Sequence, residues 1–285
     1  MTHPRSSGGP GRPPAPEPLP RPVVDSHCHL DVARGEGEPA VPLDRALAEA
    51  AAVGVDRVVQ IGCDLAGARW AVEAARSYGP VVAGVALHPT EATAHAQAGT
   101  LDGALAEVEA LAVAPEVRAV GETGLDHYWV GPEGRPAQEE SFRAHVTMAR
   151  RLGKALVVHD RDAHDDVIRV LEDAGPPQTV VFHCFSGDAA MARHCVERGW
   201  YLSFAGPVTF RNAAALRDAL AEVPLEQVLV ETDAPYLTPH PYRGRPNAPY
   251  LLPHTVRTVA EVLGRDLAEV CDAVSANAER VFGTW

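Results

Sequence analysis

Lysine is almost missing from this 285-residue chain: of its 25 basic residues only Lys154 is a lysine, and the rest are arginine. Schiff-base chemistry, a phosphate-gripping Walker lysine and a carbamylated-lysine metal bridge would each have to use that one residue. Positive charge is scarce overall, since 38 acidic residues leave a net charge of −13. Proteins that grip duplex phosphates over a broad face are usually basic, so repressor-type or architectural DNA binding is disfavoured. A local phosphate pocket stays open, because bound metal can supply positive charge that side chains lack. The five cysteines, Cys28, Cys63, Cys184, Cys195 and Cys271, are scattered and form no CxxC pair. That argues against a disulfide framework or a cysteine-rich zinc knuckle and fits a reducing compartment. No apolar run approaches the roughly 18 residues of a membrane span, and the N-terminus lacks the apolar stretch of a signal peptide. A soluble, cytoplasmic protein without membrane attachment is expected.

What is present is an ordinary globular composition, 46% apolar and 22% charged, sufficient for a sizeable core. Residues 1–22 stand apart, with eight prolines, several glycines and serines, and no periodic apolar pattern. Such a segment buries too little surface to offset its ordering entropy, so a disordered tail is expected. Residues 23–285 read as one domain. Short β-branched runs at 23–27, 57–62, 81–87, 118–122, 155–159, 179–184, 200–204 and 227–232 predict strands. Between them, 43–53, 66–78, 100–113, 137–152, 162–174, 188–198 and 211–222 carry helical periodicity, and helices at 253–263 and 267–281 follow. Eight strand–helix units over some 260 residues predict an α/β fold of the TIM-type (β/α)8 barrel class. A doubly wound open sheet is the alternative. It would want GxGxxG after the first strand, where Asp25-Ser26-His27-Cys28-His29 stands instead.

The chemically useful residues gather at the C-terminal ends of these strands, the face where such a barrel builds its active site. His27 and His29 end the first strand, Glu122 the fourth, His159 the fifth and His183 the sixth, and Asp233 follows the eighth. Alternate strand residues share a side, so His27 and His29 project together as a two-point chelate while Cys28 points away. Asp25 shares their face and could orient one imidazole. Glu122 is flanked by Gly121 and Gly124, which let the backbone turn sharply and hold a carboxylate toward the axis. Its two oxygens could bridge two cations. His159 and His183 terminate buried runs on neighbouring strands and could hold a second ion, with Asp233 completing the first. Nitrogen and oxygen donors without thiolate suit Zn²⁺, Mn²⁺, Fe²⁺ or Mg²⁺. Each motif alone has a bland reading as turn or satisfied core residue; convergence on one barrel mouth is what carries the chemistry.

With these residues assembled, the chain resembles the TatD family of metal-dependent deoxyribonucleases, within the amidohydrolase-like barrels. The matching text is Asp25 to Asp31, Gly121 to Asp126, His159 to Ala163, His183 to Gly187 and Glu231 to Pro246, in the family's order. The resemblance implies two divalent ions (Mg²⁺, Mn²⁺ or Zn²⁺). His27, His29, Glu122 and Asp233 would hold one, and Glu122, His159 and His183 the other. His88 matches a family position for substrate phosphate, and Arg161, Arg243 and Arg245 are further candidates. Arg245 stands where many members have lysine, and Ala248 where an acidic residue is common. Relatives that bridge their metals with carbamylated lysine place it where Glu122 stands here. Lys154 lies five residues before His159, about 16 Å away along a strand, which closes that branch.

The activity so implied is phosphodiester hydrolysis of DNA ends, single-stranded and shortened 3′ to 5′. Asp233 would act as base, Glu122 as bridge and His88 on the phosphate, without an obligate protein partner. The alternatives are hydrolysis of a non-nucleic ester, amide or lactone with the same water, and a non-catalytic binding protein that keeps metal for stability.

Overall fold

The computed structural model describes residues 11–33 and 41–285. Its strands are β1 (Val23–Cys28), β2 (Val55–Gly62), β3 (Val81–Val85), β4 (Val117–Asp126), β5 (Ala155–Arg161), β6 (Val180–Phe182), β7 (Tyr201–Phe204) and β8 (Val228–Val230). They pair in sequence order, each parallel to the next. The ring closes just beyond β8, where Asp233 N–H donates to the His27 carbonyl (2.9 Å) and His29 N–H to the Ala234 carbonyl (2.7 Å). This is the expected (β/α)8 barrel, and closure rules out the open sheet.

The helices are α1 (Leu43–Ala51), α2 (Leu65–Ser77), α3 (Pro89–Gln97), α4 (Leu101–Ala112), α5 (Arg135–Leu152), α6 (His164–Ala174), α7 (Ala189–Glu197), α8 (Ala214–Ala221), α9 (Leu252–Leu263) and α10 (Leu267–Phe282). Capping fixes where several begin: Asp64 accepts from Gly67 N–H ahead of α2, and Asp188 from Met191 N–H ahead of α7. Helix α3 has no counterpart in the expected helices. Its alanine-rich sequence shows no apolar stripe, yet Pro89 at its first position and His88 at its N-cap start it efficiently.

Strand alternation sorts the core into two layers. Val23, Val85, Val117, Leu156, Phe182, Leu202 and Val228 face the helices, whereas Val24, Val59, Ile61, Val82, Ala119, Val157 and Leu229 fill the barrel interior. Ala278, Val281 and Phe282 of α10 join that interior layer and plug its lower end. Lys154 belongs to the same end, its ammonium donating to the carbonyls of Ala114 and Val117 at 2.9 and 2.6 Å. Among the described residues, no helix is long and apolar enough to cross a membrane.

Two expectations change. Strand β4 does not stop at Glu122 but runs on to Asp126, and its register against β5 shifts between Val120 and Thr123. The glycines around Glu122 therefore serve close approach rather than strand termination. A Cβ on Gly121 would lie 2.5 Å from Val157 Cβ, and one on Gly124 only 2.0 Å from the His159 carbonyl oxygen.

The second change concerns the expected disordered tail, 1–22. Residues 1–10 lie outside the described residues, but 11–22 run along the barrel in defined contacts. Arg245 donates to the carbonyls of Gly11 and Arg12, Tyr250 to Pro13 and Arg257 to Glu17. Arg12 pairs with Glu49, Leu19 is buried and its N–H donates to Val53. Composition misled here because proline removes donors but leaves every carbonyl as an acceptor. Proline also restricts the unfolded chain, so little entropy is lost on docking.

Candidate metal centre

Four imidazoles and two carboxylates meet at the C-terminal mouth. His27 Nε2 and His29 Nε2 stand 3.2 Å apart, and Glu122 Oε1 lies 3.4 Å from each. Asp233 Oδ1 is 3.2 Å from His29 Nε2 and 3.9 Å from His27 Nε2. On the other side Glu122 Oε2 is 2.9 Å from His159 Nδ1 and 2.7 Å from His183 Nε2, and those two nitrogens are 3.3 Å apart. One carboxylate thus straddles two imidazole pairs, one oxygen to each. The rings of His27 and His183 stack at 3.9 Å across the join.

Neighbouring acceptors aim most of these rings. His29 Nδ1 lies 3.0 Å from the Ile61 carbonyl, His159 Nε2 3.1 Å from Asp126 Oδ2, and His183 Nδ1 3.3 Å from Glu231 Oε1. Each contact places a proton on the far nitrogen and leaves the near one free to act as a ligand. Asp25 does not do this for any ring. Its carboxylate accepts from the N–H and hydroxyl of Thr232 and so ties β1 to the strand-eight end of the barrel.

The electrostatics ask for positive charge. Burial alone would raise Glu122, yet His183, His159 and His27 hold it well below the usual carboxylate range. Asp233 is likewise lowered: burial would raise it, but His29, His27 and His183 together outweigh that. In return burial is overcome at His29, raised to about 9 by Asp233 and Glu122, and at His183, raised well above its ordinary value by Glu122 and Glu231. Without a cation the carboxylates recruit protons onto ligand nitrogens, which is the behaviour of a donor set built around a cation. Buried groups of three, such as His27, His29 and Asp233, or His27, Glu122 and His183, place their donor atoms within 4.8 Å of one another. The residues present therefore suit divalent metal.

All six expected ligands come together. His88 joins them at the rim, its ring 4.5 Å from that of His159. Its Nδ1 accepts from Thr90 N–H. Burial and His159 push it down to about 4, so it is neutral at pH 7 and its Nε2 carries the proton. It offers a hydrogen bond rather than a charge. Arg161 is at the mouth, over the rings of Tyr128 and Trp129. Arg243 stacks on Phe210, and Arg245 holds residues 11 and 12.

Sequence reasoning missed three participants. Cys63 stands at the edge of the donor set as a neutral thiol: its Sγ donates to Glu122 Oε1 at 3.1 Å, beside His29. It directly follows β2, so the strand-end rule that found the other ligands applies to it too. Asp126 and Glu231 lay inside the quoted motifs, where only their neighbours had been given roles. Cys28 does face the helix layer as expected, packed near Val58 and Ala74.

Fold and donor set together define a metal-dependent barrel hydrolase. Residues 24–283 match the family described as TatD related DNase, and the chain belongs to that family. It is 50% identical over 266 residues to a Mycobacterium tuberculosis protein described as an uncharacterized metal-dependent hydrolase TatD, covering 92% of this chain and 98% of that one. The Escherichia coli metal-dependent hydrolase YcfH is 37% identical over 261 residues, 91% of this chain and 95% of its own. Among solved structures, the TatD homolog YJJV of Escherichia coli is similar with a TM-score of 0.81 and 26% identity, over 92% of this chain and 98% of that chain.

Proposed function

We propose that the protein hydrolyses phosphodiester bonds at single-stranded DNA ends, shortening them from the 3′ side. The observation that carries this reading is the straddling carboxylate: Glu122 offers one oxygen to His27 and His29 and the other to His159 and His183. That arrangement would suit two divalent ions, Mg²⁺, Mn²⁺ or Zn²⁺, of the kind that assist phosphoryl transfer. His27, His29, Asp233 and Glu122 would hold one, and Glu122, His159 and His183 the other. Bound there, the ions would activate water and offset charge on the phosphoryl oxygens.

The chain's own residues do the rest. Asp233, ionised because His29, His27 and His183 together outweigh its burial, accepts the proton of the attacking water and returns it to the leaving oxygen. His88 donates from Nε2 to a phosphoryl oxygen as charge builds on it. Arg161 adds a positive charge at the rim. A narrow centre reads one strand end, which reconciles nuclease chemistry with a net charge of −13.

That charge is also the observation favouring the second reading, a neutral ester, amide or lactone attacked by the same water. One assay separates them. Metal-stripped protein is reloaded with Mg²⁺, Mn²⁺ or Zn²⁺ and given 3′- and 5′-labelled single-stranded DNA, with Asp233→Asn alongside. Stepwise loss from the 3′ end that needs metal and disappears in the variant is the expected result. No cleavage by protein that binds its ions overturns the DNA reading and leaves the neutral substrates.

A further inference from the structure

Among the described residues, four large hydrophobic side chains are markedly exposed: Val113, Tyr128, Trp129 and Tyr236. Three of the four are aromatic, and all three stand at the mouth of the barrel. Tyr128 and Trp129 follow directly on β4, where Asp126 accepts from both of their backbone N–H groups while its other oxygen meets His159. Their rings meet edge to face at 4.9 Å. The exposed guanidinium of Arg161, the last residue of β5, lies 4.0 Å from the Tyr128 ring centre and 5.6 Å from that of Trp129. Across the mouth, Tyr236 sits with its ring 6.1 Å from that of His29.

We infer that Tyr128, Trp129 and Arg161 form a stacking ledge for the nucleobases next to the scissile phosphate of a single-stranded DNA end. This inference rests on the reading of the site as a DNA hydrolase. Exposed aromatic rings cost solvation unless something apolar and flat covers them. A nucleobase fits that need, and base–aromatic stacking tolerates any sequence because every base has a π face. Arg161 complements the phosphate that links stacked bases. Overall charge points the same way: a polyanion gains nothing from a surface of net charge −13, so affinity has to come from bases and from the metal centre. Binding should then depend weakly on salt, with a slope of about −1 in log K against log salt, corresponding to one or two phosphates.

The test uses metal-loaded protein and octamers with phosphorothioate linkages, which resist hydrolysis: octathymidylate and an abasic chain of the same length. Trp129 is the strongly exposed tryptophan, so its fluorescence reports stacking. The ledge predicts binding of octathymidylate about tenfold tighter than the abasic chain, with quenched emission. Trp129→Ala loses that preference and Trp129→Phe keeps most of it, circular dichroism confirming that both fold. Equal binding of the two octamers, or binding of neither, overturns the ledge, as does a preference that survives in Trp129→Ala. Failure of the nuclease reading looks different: base-dependent binding without metal-dependent cleavage of ordinary DNA leaves the ledge standing and removes the activity.

Discussion

The two halves of the centre differ in how they are enclosed. On one side His27 is buried on β1 and His29 directly after it, Asp233 is tied back to β1 through its backbone, and the thiol of Cys63 closes the flank. On the other, His159 is partly exposed and its support, Asp126, also carries the loop of exposed aromatics. The first half is fixed by barrel closure, whereas the second opens toward solvent at His159. Glu122 is the one side chain that belongs to both.

Removing what the halves share has the largest expected effect. Glu122→Gln replaces the straddling carboxylate with an amide and lowers turnover by at least about 10³-fold, with fewer ions retained per chain; turnover and metal content on the same sample check this. Asp233→Asn affects the closed half alone. Loss of the base lowers kcat by about 10²–10⁴-fold, while metal at the His159 side persists. Asp126→Asn affects the open half: His159 loses its acceptor, and metal affinity or activity there drops about 10–100-fold. Titration with Mn²⁺ followed by electron spin resonance would show one affinity class weakened and the other unchanged.

Acidity distinguishes metal-free from metal-loaded protein. In the metal-free state His29 is raised to about 9, above the value of about 6.5 for an unfolded histidine. Its stabilising contribution is complete below pH 6.5 and disappears as pH rises through 9. Metal binding displaces the same proton, so its stabilisation grows with pH. Thermal melts from pH 6.5 to 9.5 should show metal-free Tm falling while the gap to loaded protein widens; a metal-free Tm that rises over this window contradicts the assignment. The smallest effect is expected at Cys63. Cys63→Ser keeps a hydrogen-bond donor to Glu122, so turnover with Mn²⁺ and the affinities for Mn²⁺ and Zn²⁺ each change by less than about threefold. Competition with a chromophoric chelator measures both affinities.

The closed half was the more legible from sequence. His27, His29 and Asp233 sit where strand alternation and strand ends place them, and HxH announces its own geometry. The open half hid more, because β4 was expected to end at Glu122; with the strand four residues longer, Asp126 and the aromatics after it become part of the mouth. Cys63 escaped because it belongs to no CxxC pair and lies outside the motifs that carried the other ligands. Barrel class followed from eight alternations, but α3 did not, since alanine-rich helices lack an apolar stripe. The docking of 11–22 depends on arginines more than 200 residues away, which no local pattern reports.

The most direct measurement is the number and position of ions in wild-type protein and Glu122→Gln, by elemental analysis and anomalous diffraction on Mn²⁺-loaded crystals. Two ions flanking Glu122 in the wild type, with occupancy lost on both sides in the variant, is the predicted result. A single wild-type ion, or a variant that keeps both at full occupancy, would contradict the bridging role of Glu122.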